Sequence, residues 1–302
     1  MRRHPNPRHL SPGARRRARL WRVGLLAVVA LAGMGTLDGV LGASGGSSPA
    51  GPGNLDGVLR SSRRRHPKES QPGCPPQTFV PAFFPVGGDW SAMAQAPSPP
   101  STVILDLTSL GAGTAPEQGF RQAVAALQAR GVLVLGYSST AYATRPIDQV
   151  VTDVRHYAAW YGVHDVFLDE VTADTAHLAY YQALNRAIRA VEPNATIWLN
   201  PGTYPARAYM SLGDVVMAFE GPWSSYRYLR VPAWAFRYPA SRFAFTVYDT
   251  PAGDLAGGVW LARHRRGGFL YLTDGTGSNP YGNLPSYFGA EAARTPACAT
   301  GG

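Results

Sequence analysis

The sequence predicts an α/β fold: a (β/α)8 TIM-type barrel, a single domain after a disordered N-terminal tail. Three observations predict it. From Cys74 onward, eight short apolar runs recur, and segments with helical spacing separate several of them. The runs are continuously apolar rather than alternating, the pattern of parallel strands covered on both faces. Eight such units between Cys74 and Gly302 are the number that closes a barrel.

The strand candidates are 79–84, 102–107, 132–137, 166–169, 196–200, 215–220, 243–249 and 269–274. Four helices are expected between them. Residues 117–130 (EQGFRQAVAALQAR) place Phe120, Val124 and Leu127 on one face and precede Gly131, a C-terminal stop. Residues 146–161 begin with Pro146, suited to a helix start, and carry Ile147, Val150, Val151, Val154 and Tyr157. Residues 174–191 and 254–266 are the third and fourth, whereas 221–240 reads as a long loop. An open doubly wound sheet is the alternative. It often brings a Gly-rich phosphate turn, and SLGAGTAPE, with only Gly111 and Gly113, matches that fingerprint poorly.

Charge separates the tail from the barrel. The formal net charge is +9, yet 13 basic and 3 acidic residues precede Cys74, which leaves 15 basic and 16 acidic residues after it. The folded part has no basic excess to attract a polyanion, so no nucleic-acid partner is expected. In the tail, Arg15, Arg16, Arg17, Arg19 and Arg22 precede an apolar run over 23–37 and small residues at Gly42-Ala43. That order describes an export signal over 1–43, with an uncleaved membrane anchor as the alternative. Residues 44–73, rich in Gly, Ser, Pro and Arg, read as a disordered spacer, and 74–302 as the barrel. The protein is therefore expected outside the cell, as a monomer. Cys74 and Cys298 bracket the barrel and suggest one disulfide in an exported protein; two unrelated thiols are the alternative.

Polar groups gather at the strand ends, where a barrel of this kind carries its active site. Strand three ends at Tyr137, strand four at Asp169-Glu170, strand five at Asn200 and strand six at Glu220. Strand seven ends at Tyr248-Asp249 and strand eight at Thr273-Asp274. Side chains alternate along a strand, so Asp169 and Glu170 should not both face the axis, and Glu220 can supply the second inward carboxylate. Two carboxylates across a cleft can hydrolyse a glycosidic bond, one as acid and one as nucleophile or base. Trp223, Tyr142 and Tyr281 are among the flat rings on the same loops, and such rings stack on sugars.

The stretches GYSSTAYATRP, YAAWYGVHDVFLDE, YYQALNRAI, LNPGTYP and VVMAFE, in this order, resemble the spherulin-4 (spherulation-specific) family of glycoside hydrolases. The resemblance implies a secreted, endo-acting barrel that cuts exopolysaccharides containing α-1,4-linked galactosamine or N-acetylgalactosamine. It implies Asp169 as nucleophile or base and Glu220 as general acid, with Glu170 a supporting acid able to exchange roles with Asp169. Tyr137 and Asn200 would line the sugar subsite, and Trp223, Tyr248, Asp249 and Asp274 are the other candidate substrate contacts. Family members often carry Asn-Pro and a Gly-rich turn after strand two; here the chain reads LDLTSLGAG, with Asp106 and Leu107.

Three rival readings compete with this one. A glycan-binding barrel at the cell surface that does not cut would keep the aromatic rim without needing three acids. A metal-dependent hydrolase needs histidines converging with carboxylates. His156, His164, His177 and His264 are scattered over the barrel, so no metal or other cofactor is expected. A serine nucleophile lacks its Gly-x-Ser-x-Gly elbow.

Overall fold

A computed structural model describes residues 75–295. The export segment, the spacer, Cys74 and Cys298 lie outside the described residues. Eight parallel strands close into a barrel in sequence order: β1 (Gln77–Ala82), β2 (Thr102–Leu105), β3 (Leu133–Ser139), β4 (Asp165–Asp169), β5 (Ile197–Leu199), β6 (Val215–Pro222), β7 (Phe243–Tyr248) and β8 (Phe269–Leu272). β1 pairs with both β2 and β8, which completes the ring. The expected barrel is the observed one, with each strand where its apolar run lies.

Seven helices are described: α1 (Gly88–Gln95), α2 (Gln118–Ala129), α3 (Ile147–Tyr161), α4 (Leu178–Val191), α5 (Trp223–Tyr226), α6 (Leu255–His264) and α7 (Phe288–Arg294). The four expected helices are α2, α3, α4 and α6. The long loop expected over 221–240 is corrected: α5 and the 3-10 turn Ala233–Arg237 organise it. Helix α1 was not expected because it buries only Trp90 and Met93, too few positions to set a period. Helix α7 was hidden because its buried face includes a charged-type residue, Glu291.

The barrel interior is filled by aromatic rings in layers. Phe79, Trp198 and Phe269 meet at its lower end, with centroids 5.4 Å apart for the first pair and 4.7 Å for the second. Tyr137 stacks over Phe167, and Phe83 stands edge-on to both Tyr137 and Tyr281 beneath the mouth. Outside, Gly136 lets helix α3 approach β3, because a Cβ there would lie 2.4 Å from the Tyr157 ring.

Glu291 is fully buried and accepts the Leu272 amide at 2.7 Å. Burial raises its carboxyl well above the ordinary carboxylate range. The stability it contributes is therefore fully present below the unfolded value and lost as pH rises through the folded one. Glu291→Gln is expected to flatten the fall in melting midpoint between mildly acidic and mildly alkaline pH. Equal slopes for the two proteins would contradict a protonated Glu291.

Candidate active site

Strand parity delivers three polar groups to the mouth. Asp169 follows Phe167, and Asn200 follows Trp198, on the inward face of their strands. Val166, Leu168, Ile197 and Leu199 turn outward into the helix layer. β6 would fail this test if it were regular. Val215 and Met217 face inward and Val216 and Ala218 outward, so Glu220 should point away from the axis. The register with β7 slips between Met217 and Phe219, the mark of a bulge. Phe219 is thereby sent to the outer layer, against Tyr226, and Glu220 is re-aimed into the mouth.

A chain of hydrogen bonds joins the two acids. Asn200 Nδ2 donates to Asp169 Oδ1 at 2.8 Å and to Glu220 Oε2 at 2.7 Å. The Asn200 carbonyl oxygen is held by the Gly202 amide at 2.9 Å, which fixes the orientation of the side-chain amide. The second oxygen of each acid takes a tyrosine hydroxyl: Tyr137 donates to Asp169 Oδ2 at 2.7 Å, and Tyr281 donates to Glu220 Oε1 at 2.9 Å. Residues 169 and 220, on β4 and β6, thus meet across one amide.

Asp169 as a residue is half-buried, but its carboxyl is enclosed by these partners. Burial pushes it up to about 7, and the Glu220 charge adds to the rise. The Tyr137 hydrogen bond pulls the other way, because it favours the ionised form. The Tyr137 hydroxyl is itself pushed far up by burial and then by the Asp169 charge, so it remains a donor. Tyr137→Phe is expected to raise Asp169 further, moving the limb of the pH–rate profile that Asp169 controls to higher pH. An unchanged profile, or a shift toward acid, would contradict this.

Glu170 adopts φ of 52°, so strand alternation stops at Asp169. Its Oε2 accepts the Ser139 hydroxyl. Six of the seven described non-glycine residues with positive φ lie in loops that leave the C-terminal ends of strands: Ser109, Ala141, Tyr142, Ala143, Glu170 and Asp249. Each such residue costs of order 1–3 kcal/mol, and strain of this kind gathers at functional sites.

The remaining candidates divide. Tyr248 stands near the pair: the Glu220 charge raises its hydroxyl, after burial, and its ring lies 6.4 Å from Tyr281. Asp249 is exposed, its amide bonded to the Gly275 carbonyl at 3.0 Å. Trp223, taken as a sugar contact, is only 8% exposed and packs against Tyr226 in the outer layer. Asp274 takes both the amide and the hydroxyl of Ser286 and so closes its own loop. Neither joins the hydrogen-bonded cluster. Tyr281, expected only as one of the rim rings, does join it through Glu220, and Ser139, not among the expected site residues, holds Glu170 beside it. Asp106, after β2, is a further acid of the mouth: burial pushes it up to about 6 against the Ser109 and Thr108 amides, and its charge is felt by Tyr137. Among the described residues no group of three His, Cys, Asp or Glu side chains is arranged to hold a metal ion.

Comparison with known proteins agrees with the barrel. Spherulin-4 of Physarum polycephalum is 27% identical over 231 residues, which cover 72% of this chain and 69% of that protein. The structure of Aspergillus clavatus Sph3 in complex with GalNAc aligns with a TM-score of 0.64 at 23% identity, over 74% of this chain and 98% of that one. The Bacillus cereus spore cortex-lytic enzyme SleL aligns with a TM-score of 0.51 at 9% identity, over 75% of each chain. At these identities the two structures share the fold with this chain. The model of spherulation-specific family 4 matches residues 77–294, nearly all of the described barrel, and the chain belongs to that family.

Proposed function

We propose that the chain is a glycoside hydrolase that cleaves internal bonds of an exopolysaccharide containing α-1,4-linked galactosamine or N-acetylgalactosamine. One observation carries the reading. A single amide nitrogen, at 2.8 Å from Asp169 and 2.7 Å from Glu220, confines the two oxygens to within about 5.5 Å of each other. Retaining glycosidases space their carboxyl groups by about 5–5.5 Å, and inverting ones by about 6.5–9.5 Å. The spacing supports a double displacement with retention.

In that reaction Asp169 gives its proton to the glycosidic oxygen as the bond from the anomeric carbon to that oxygen breaks. Glu220 attacks the anomeric carbon and forms a glycosyl ester. Asp169, now ionised, takes a proton from water, and the hydroxide displaces Glu220. Asp169 is the raised carboxyl, which supports it as the proton carrier. This division reverses the one that the family resemblance implies, and both divisions use the same pair. Glu170, tied to Ser139, supports the site from the next position.

The sugar class rests on the family and on the GalNAc bound in Sph3. On this reading the protein is exported by its basic and apolar leader, acts as a monomer on polysaccharide and needs no metal. Purified protein is to be incubated with defined galactosamine and N-acetylgalactosamine oligomers, with and without a chelator, and the products weighed by mass spectrometry. Internal cleavage insensitive to chelator is expected. Intact oligomers would contradict the enzyme, and their retention on the protein without cleavage would favour a glycan-binding barrel.

A further inference from the structure

We propose that Tyr142 is a sugar-stacking platform at the mouth, holding the residue of the glycan next to the bond that is cleaved. The proposal rests on the glycosidase reading and adds a binding residue to it. Most of the rings near the acids are already committed. Tyr137 and Tyr281 are buried, and each spends its hydroxyl on an acid; Trp223 is packed in the outer layer. Tyr142 is different: its side chain is 53% exposed. It nevertheless lies beside the acids, since its amide donates to the carbonyl of Glu170, the residue after Asp169, at 2.8 Å. In keeping with that, its hydroxyl is raised by partial burial and then by the charges of Glu170, Asp169 and Glu220.

The loop that presents it is expensive. Ala141, Tyr142 and Ala143 have φ of 46°, 54° and 68°, three successive non-glycine residues in the left-handed region. Such residues visit that region singly as a rule, at about 1–2 kcal/mol each. None of the three is glycine, asparagine or aspartate, the types that tolerate it. A loop with no task for the ring would be more stable with glycine at its centre.

The strain is held by bonds to the end of β4. The Thr140 amide donates to the Asp169 carbonyl at 2.9 Å, and the Tyr142 amide donates to the Glu170 carbonyl at 2.8 Å. The Thr144 hydroxyl donates to the Ala141 carbonyl at 2.6 Å. Behind the turn, Arg145 is fixed by Asp153 at 2.7 Å, and its carbonyl accepts the Tyr180 hydroxyl at 2.7 Å. The backbone of the acids and the backbone of the ring are thus one unit. A platform whose geometry is set before binding loses little entropy when a sugar settles on it.

The experiment uses calorimetric titration of α-1,4-linked galactosamine and N-acetylgalactosamine oligomers into the Glu220→Gln protein, in which turnover is expected to be too slow to interfere. Adding Tyr142→Gly is expected to weaken binding about tenfold, equivalent to about 1.4 kcal/mol. Adding Tyr142→Phe should leave it near the parent, because the ring is kept. The thermal midpoint of Tyr142→Gly should be no lower than the parent's, since glycine relieves the left-handed backbone. In the active background, KM should rise by more than kcat falls. Equal affinity with and without the ring overturns the platform and leaves the glycosidase reading standing. A midpoint that falls together with affinity also overturns it, by marking a structural residue. No binding by the Glu220→Gln parent, with no cleavage by the wild type, overturns both.

Discussion

Glu220→Gln is expected to lower hydrolysis of the natural polymer by at least about 10³-fold, with the melting midpoint little changed. The amide keeps the shape of the carboxylate and can still accept the Tyr281 hydroxyl through its oxygen. Its nitrogen then faces the Asn200 amide, so one hydrogen bond of the bridge is lost at a half-buried site. The electrostatic consequence has a definite sign. The Glu220 charge is one cause of the raised Asp169 carboxyl, so the substitution lets Asp169 fall toward its ordinary value. Residual turnover should titrate at lower pH than the wild type. Azide should restore turnover of an aryl glycoside by attacking the anomeric carbon in place of Glu220, giving a glycosyl azide of inverted configuration. Asp169→Asn should instead spare substrates whose leaving group needs no proton. If Glu220→Gln spares those substrates and Asp169→Asn is the variant that azide restores, the two roles are exchanged as the family resemblance implies.

Asp153→Ala is expected to destabilise the barrel by about 3–5 kcal/mol, the cost of stranding one member of a buried ion pair. Asp153 and Arg145 approach to 2.7 Å with side chains 8% and 10% exposed. Asp153 also accepts the Ala112 amide at 3.1 Å and the Ser138 hydroxyl at 2.7 Å. Arg145 donates to the carbonyls of Leu110 and Ser139 at 2.7 and 3.0 Å. Removing the carboxylate leaves a buried guanidinium and two donors without their acceptor, at the junction of α3 with the loops after β2 and β3. Asp153→Asn, which keeps an acceptor, should cost less. Because the same knot fixes the turn that carries Tyr142, affinity for glycan should fall with stability in the alanine variant. A denaturation midpoint corresponding to a loss under about 1 kcal/mol would show that the pair is not holding this junction.

Much of the fold was legible because its signals are local. Strands β2 to β8 are apolar runs ended by polar residues, and α2, α3, α4 and α6 each bury several apolar side chains at helical spacing. Asp169 and Asn200 were legible as strand-end residues, but alternation alone left open whether Asp169 or Glu170 faces the axis; the inward face of Phe167 settles it for Asp169. Glu220 was placed at the mouth by its position at a strand end, but the cause was invisible. VVMAFE contains no glycine or proline to mark the bulge that flips its side chain, and the slip arises from pairing with β7. Tyr281 was legible as a ring on the loop after β8, but its bond to Glu220 was not, because only the closed barrel brings the two together. Trp223 failed the other way. Its place after β6 suggested the rim, but the short helix α5 turns it beneath α6, where burying a large ring is worth more than displaying it.

The most direct test of the paired carboxylates is the anomeric configuration of the first product. Proton NMR of an α-1,4-linked oligomer during early hydrolysis, before mutarotation, should show the new reducing end as the α anomer. That outcome follows from acids bridged by one amide, a separation in the range of retaining pairs. First appearance of the β anomer would contradict the spacing, and no product from the folded wild-type protein would contradict the assignment of these two acids to catalysis.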